Sequence, residues 1–150
     1  RVHSCRCTPQ QIRQYQSKIS GPLLDRIDLH IEVPSVKYRA LSDKETGESS
    51  AAIKQRVSNA RNIQNERFGT NGIMCNARMT EKHIRQFCQV DEEAHKLIDM
   101  AMEKLGLSAR AVNRILKVSR TIADLEHDES IRTSHVAEAI QYRNLDRGLI

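Results

Sequence analysis

Residues 108–124 read Ser108-Ala109-Arg110-Ala111-Val112-Asn113-Arg114-Ile115-Leu116-Lys117-Val118-Ser119-Arg120-Thr121-Ile122-Ala123-Asp124, and this stretch decides the fold. Val112, Ile115, Leu116, Ser119, Ile122 and Ala123 recur at helical spacing, which predicts a helix with one buried face. Ser108 is a capping residue placed just ahead of it. Upstream, Asp91 opens a second stripe of Ala94, Leu97, Ile98, Ala101 and Leu105, and Gly106 supplies the left-handed residue that ends it. Thr80 heads a short helix with Ile84 and Phe87; Ile53, Val57, Ala60 and Phe68 share another helical face, on which Lys54, Arg56, Arg61 and Arg67 read as solvated. A last helix runs from about Ser134 to Tyr142 with Val136 and Ile140. From residue 42 to the end the chain therefore reads as a bundle of four or five short helices.

The N-terminal part reads differently. Thr8-Pro9-Gln10-Gln11 has the form of a capping box with proline at the first helical position, followed by Ile12, Tyr15 and Ile19 on one face, and Gly21-Pro22 reads as its stop. Arg26-Ile27-Asp28-Leu29-His30-Ile31-Glu32-Val33 alternates polar and apolar up to Pro34, which predicts one strand. A lone strand needs a sheet partner, expected to lie outside this sequence. Residues 34–49 carry Pro, Ser, Asp and Gly with little periodicity and read as a connection, so two parts are expected: 1–41, one helix and one strand, and 42–150, the helical bundle.

Composition narrows the function. The 150 residues carry a net charge of +5, 39% hydrophobic residues and only 3% aromatics, a balance that excludes a membrane span and favours helices over a sheet-rich sandwich. Four irregularly spaced cysteines exclude a secreted disulfide framework and favour a reducing cytoplasm. Cys5-Arg6-Cys7, with His3 nearby, offers at best half of a tetrahedral zinc site, and two ordinary thiols are the plainer reading. No phosphate-binding loop, dinucleotide fingerprint, zinc-protease or nucleophile-elbow motif is present, and the sequence starts in mid-motif without a leader, as an excised piece would.

Two arginines stand where chemistry favours them. Arg26 sits at the entrance to the predicted strand, beside Asp25. Arg110 lies in the first turn of the Ser108-capped helix, where a cation is mildly opposed by the dipole and a bound anion would compensate. The bland alternatives are a surface pair of Arg26 with Asp25 or Asp28, and a solvated Arg110. Arg110, Arg114, Lys117 and Arg120 also form a basic run that could follow phosphates, against which Asp124 is placed to pair with Arg120 one turn away.

Cys5-Arg6-Cys7-Thr8-Pro9 and Ile19-Ser20-Gly21-Pro22-Leu23-Leu24-Asp25-Arg26-Ile27-Asp28-Leu29 resemble the end of the AAA+ core in the magnesium chelatase-like ComM (YifB) family. Gly47-Glu48-Ser49-Ser50, Leu107-Ser108-Ala109-Arg110-Ala111, Arg114-Ile115-Leu116-Lys117-Val118, Arg120-Thr121-Ile122-Ala123-Asp124-Leu125 and Glu138-Ala139-Ile140-Gln141-Tyr142-Arg143 resemble its C-terminal helical lid, in order along nearly the whole chain. The resemblance implies a mainly α fold, a helical lid carrying a small remnant of an α/β core, from a ring ATPase of the helix-2-insert branch. It implies that Arg26 is an arginine finger acting on a neighbouring subunit's ATP and that Arg110 is a sensor 2 arginine in its own subunit. It further implies ATP and Mg²⁺ in the full-length protein, a homo-oligomeric and hexameric ring, a cytoplasmic location and DNA as substrate, in processing linked to natural transformation and branch migration. Cys5 and Cys7 resemble the second half of a four-thiolate zinc cluster. Both Walker motifs are missing here, so the piece alone is expected to be inactive. The rival readings are a basic helical nucleic-acid-binding module and the motor subunit of a true magnesium chelatase.

Overall fold

The computed structural model describes residues 6–34, 47–69 and 72–143. Helices α1 (Pro9–Gln16) and α2 (Gly21–Leu24) belong to the N-terminal part; α3 (Ser50–Phe68), α4 (Glu81–Phe87), α5 (Glu92–Leu105), α6 (Ala109–Leu125) and α7 (Thr133–Gln141) follow, with a 3₁₀ turn at Asn76–Arg78. The fold is mainly helical, with no strand among the described residues. None of the described helices is long and apolar enough to cross a membrane.

The caps form as local chemistry dictates. Thr8 and Gln11 make the reciprocal capping box, with Thr8 N–H donating to Gln11 Oε1 at 2.8 Å. Asp91 Oδ1 accepts from Ala94 N–H at 2.8 Å, and Ser108 Oγ accepts from Ala111 N–H at 3.2 Å. Gly106 adopts φ 63°, the left-handed conformation that lets the chain leave α5 and enter α6 within three residues. Gly21-Pro22, read from sequence as the stop of the first helix, instead opens α2: α1 already ends at Gln16, and proline is well suited to a first helical turn.

Helix α6 is the hub of the bundle, packing against α7, α3 and α4. Its Ala111, Ile115, Ile122 and Ala123 join Phe68, Ile84, Ile98, Leu105, Val136 and Ile140 in one continuous core. Beside that apolar core lies a polar one. Asp124 is fully buried and accepts from Arg67 through both oxygens, from Asn76 Nδ2 at 2.7 Å and from Arg120 Nε at 3.0 Å. Arg120, itself buried, also donates to the carbonyls of Glu129 at 2.8 Å and Asp128 at 2.5 Å. Arg67, expected on the solvated face of α3, is thus drawn inward by a carboxylate 57 positions later in sequence. Burial lowers the Arg120 pKa from its ordinary value, and the Asp124 charge opposes that shift.

The segment 26–33, predicted as a strand, forms none: its start belongs to the turn after α2, with Arg26 and Ile27 N–H donating to the Leu23 and Leu24 carbonyls, and its one backbone bond to the bundle among the described residues is His30 N–H to the Tyr142 carbonyl at 2.7 Å. The alternation is real but inverted relative to the bundle. His30 is buried and Asp28 half-buried, while Ile27, Leu29, Ile31 and Val33 are exposed. The boundary expected near residue 42 lies outside the described residues.

Removing the Asp124 carboxylate would leave two guanidinium groups facing each other without a counter-charge. Asp124→Ala is therefore expected to cost about 3–5 kcal/mol, read as a fall in the denaturant midpoint at unchanged slope. A second test uses Cys88, whose thiol is pushed up to about 11 by burial. The folded state holds that proton after the unfolded chain has released it. Cys88 thus contributes stability that is fully present below the unfolded thiol's pKa, near 9, and is lost as pH rises through about 11. Stability should fall across that window, and the fall should be shallower by about 3 kcal/mol in Cys88→Ala.

Candidate functional site

The residues that precede the two sequence-selected arginines, Asp25 and Ser108, are joined by one hydrogen bond. The turn after α2 carries Asp25 and Arg26, and α6 begins at Ala109 behind its cap Ser108. Ser108 Oγ donates to Asp25 Oδ2 at 2.8 Å while accepting from Ala111 N–H, so its proton and a lone pair are both engaged. Arg26 follows Asp25 directly, and Arg110 lies two residues beyond Ser108. Both side chains are exposed, and among the described residues neither makes a hydrogen bond or ion pair. The bland pairing of Arg26 with Asp25 or Asp28 does not occur. Those carboxylates are engaged by other groups.

Asp25 takes Ser108 on one oxygen and the Arg143 guanidinium at 3.7 Å on the other, and its backbone carbonyl accepts from Arg114 Nε at 2.6 Å. Asp28 pairs with the Nη1 of Arg114. Arg143 also donates to the carbonyl of Ile27 at 2.5 Å and lies 3.5 Å from that of Leu24. These carbonyls stand at the C-terminal end of a four-residue helix, where intrahelical donors run out and cations are favoured. Sequence reading assigned neither Arg114 nor Arg143 to this turn, because their partners lie 86 to 119 residues away. The only local hint was that a short helix ending in Asp-Arg leaves carbonyls to be satisfied.

A cleft of about 480 Å³ opens beside this junction, between residues 17–25 and the α5–α6 turn, with Ser20, Pro22, Asp25, Gly106 and Leu107 in its wall. Its lining ends at Leu107, just before the cap of α6; Asp25 is its one charged residue, and neither Arg26 nor Arg110 is in its wall.

Three of the four cations in the basic run along α6 have partners within the chain. Arg114 holds the 25–28 turn, Lys117 Nζ donates to the Ala77 carbonyl at 3.1 Å, and Arg120 is buried on Asp124. Burial, and then the Arg114 charge, lower the Lys117 pKa. Arg110 alone of the four is left without a side-chain partner among the described residues.

Of the two thiols expected to ligate zinc, Cys5 lies outside the described residues and Cys7 is exposed just ahead of α1. One described thiolate does not make a tetrahedral site. Glu126, Asp128 and His135 bring three ligand-type atoms within 4.8 Å of one another. His135 Nδ1, however, accepts the Arg132 N–H at 3.0 Å, so the proton resides on Nε2 and is donated to Glu126 at 3.0 Å and towards Asp128 at 3.3 Å. That imidazole is hydrogen-bonded at both nitrogens and offers no lone pair to a cation.

Comparison with known proteins agrees with this architecture. The family profile described as magnesium chelatase, subunit ChlI C-terminal, matches residues 47–143, and the profile for magnesium chelatase, subunit ChlI, matches residues 1–41. The chain is 44% identical over 143 residues to the competence protein ComM of Haemophilus influenzae, covering 95% of this chain and 27% of that protein. It is 44% identical over 146 residues to YifB of Escherichia coli, covering 97% and 28%. It is 33% identical over 139 residues to Rv2897c of Mycobacterium tuberculosis, covering 93% and 27%. The chain thus spans little more than a quarter of the length of these relatives. With both profiles in sequence order, and with this identity over nearly all of its residues, the chain belongs to the magnesium chelatase-like ComM (YifB) family of AAA+ proteins.

Proposed function

We propose that this chain supplies two phosphate-sensing arginines to a ComM-like AAA+ ATPase: Arg26 as the arginine finger and Arg110 as the sensor 2 arginine, in a motor that couples ATP hydrolysis to DNA processing. The observation that carries the reading is the Asp25–Ser108 hydrogen bond, with Arg26 directly after Asp25 and Arg110 two residues after Ser108, both exposed and without a hydrogen bond or ion pair among the described residues. Exposed arginines without a partner among the described residues, mounted on a braced turn and on a long capped helix, suit a ligand with several anionic oxygens.

ATP with Mg²⁺ is the group the family implies, and these residues fit its polyphosphate. Arg26 would meet the charge that develops on the transferring phosphoryl group in a neighbouring subunit of a homo-oligomeric, hexameric ring. Arg110, with the N–H groups at the start of α6, would hold the phosphates and tie the tilt of α6 to the hydrolysis state. The nucleotide supplies the scissile phosphoanhydride and Mg²⁺ neutralises its oxygens. Cytoplasmic location belongs to the same reading, as does a zinc cluster of the intact protein using Cys5 and Cys7. The described donors alone do not complete such a cluster, and no step is routed through it.

In the intact protein, Arg26→Ala is expected to lower ATP hydrolysis by roughly 10³-fold or more while nucleotide binding persists, as read by turnover and by equilibrium binding. Arg110→Ala should weaken nucleotide affinity as well. Wild-type turnover in Arg26→Ala would refute the finger assignment. For the thiols, the zinc content of purified intact protein should fall in Cys7→Ser; unchanged zinc content would remove Cys7 from any cluster.

A further inference from the structure

We propose that Arg114 is the positioning residue of this site: it fastens the turn that carries Arg26 to the helix that carries Arg110, so that the two guanidinium groups move as one body. The inference rests on the reading of Arg26 as a finger and extends it to the residue that sets the finger's place.

Arg114 lies one helical turn beyond Arg110 on α6. Its Nε donates to the backbone carbonyl of Asp25 at 2.6 Å, and its Nη1 pairs with the carboxylate of Asp28. Those partners bracket Arg26, one residue before it and two after. A single contact would leave the turn free to swivel about it, whereas two donors set at a fixed angle in one planar group define both position and rotation. Arg143 secures the same turn from the end of α7, through the Ile27 carbonyl and Asp25. Only Arg114 reaches both flanks of Arg26 from the helix on which Arg110 stands. No other cation of α6 substitutes for it, since Lys117 is engaged with Ala77 and Arg120 with Asp124.

The consequence is mechanical. Packed elements move as rigid bodies, so a tilt of α6 drawn by phosphate at Arg110 carries the 25–28 turn with it and displaces Arg26. Nucleotide state at one site is thereby passed to the finger, with no rearrangement inside the bundle. Arg114 is not among the residues of the apolar core, and its ion-pair partner Asp28 is half-exposed, so this link is separable from the bundle's own stability.

The test uses steady-state ATP hydrolysis by the intact protein, with thermal melting alongside. Arg114→Ala should lower kcat by up to about 100-fold, the scale of a 1 Å misplacement, and leave KM for ATP within about twofold. Arg114→Lys, which keeps the charge but not the fork, should remain impaired in kcat. The double variant Arg26→Ala/Arg114→Ala should be no slower than Arg26→Ala alone, because a positioning residue has nothing left to position. If Arg114→Ala does not fold, Asp28→Asn carries the same comparison from the exposed side of the pair: lower kcat at unchanged KM. Wild-type kcat in Arg114→Ala or, should that variant not fold, in Asp28→Asn, full recovery in Arg114→Lys, or a double variant slower by the product of the two losses would each overturn the proposal. An inactive Arg26→Ala beside a fully active Arg114→Ala removes the positioning role alone. A fully active Arg26→Ala removes the finger and the positioning role together.

Discussion

Asp25 is where the N-terminal part of the described chain is joined to the bundle. Its two carboxylate oxygens and its backbone carbonyl are taken by three side chains from the bundle: Ser108, Arg143 and Arg114. Around it the apolar contribution is small, since Leu24 and His30 are the only buried residues of 6–34 and α1 buries none. Hydrophobic burial sets no direction, whereas a hydrogen bond to a guanidinium fork does. A junction built mostly from the latter therefore has a defined geometry, with little of the adhesion that would come from area. That is a suitable construction for a link whose task is to keep two groups in register.

The same economy is visible along α6. A helix with four basic residues in eleven positions would be expected to repel itself and attract polyanions, yet each of three cations has been given a separate intramolecular task. Arg120 completes the buried Asp124 network, Lys117 caps the carbonyl of Ala77, and Arg114 holds the 25–28 turn. The bundle interior thus determines which of the four remains available. Arg110 is in the first turn, far from Asp124, and the turn's carboxylates are already taken by Ser108, Arg143 and Arg114; the backbone N–H groups beside it add to its attraction for an anion.

What could be read from sequence was what depends on neighbours within about one helical turn. The caps at Thr8, Asp91 and Ser108, the left-handed Gly106 and the core stripes of α5 and α6 all follow from spacing, and all form. Arg26 and Arg110 were singled out by their places at element ends, and both are exposed on the surface that the junction creates. What spacing does not carry is which charge a buried carboxylate will recruit. Arg67 looks like a solvated residue of α3 until Asp124 arrives 57 positions later, and Arg114 looks like one more cation of a basic face until Asp25 and Asp28 are brought beneath it. The Gly21-Pro22 pair was ambiguous for a different reason: proline is equally at home after one helix and at the start of the next, and only the position of Gln16 as the last residue of α1 decides between them.

The extended segment 26–33 joins these observations. Its sequence alternates with period two, and the bundle takes two of its polar members: Asp28 is bound by Arg114 and His30 is buried, while Arg26 and Glu32 are exposed. The apolar face, Ile27, Leu29, Ile31 and Val33, is turned outward, the reverse of a segment whose place is fixed by hydrophobic contact with the helices. Turning Ile27 and Leu29 onto the bundle instead would break the Arg114–Asp28 pair. The register is therefore fixed by charge rather than by oil, and it is fixed within two residues of Arg26. Apolar rows of this kind are what sheets bury, so the segment has one face committed to the lid and one suited to an α/β core. The contacts of Asp25, Asp28 and His30 with the bundle tie this segment to the lid on both sides of Arg26, so the backbone that carries the guanidinium follows the helices.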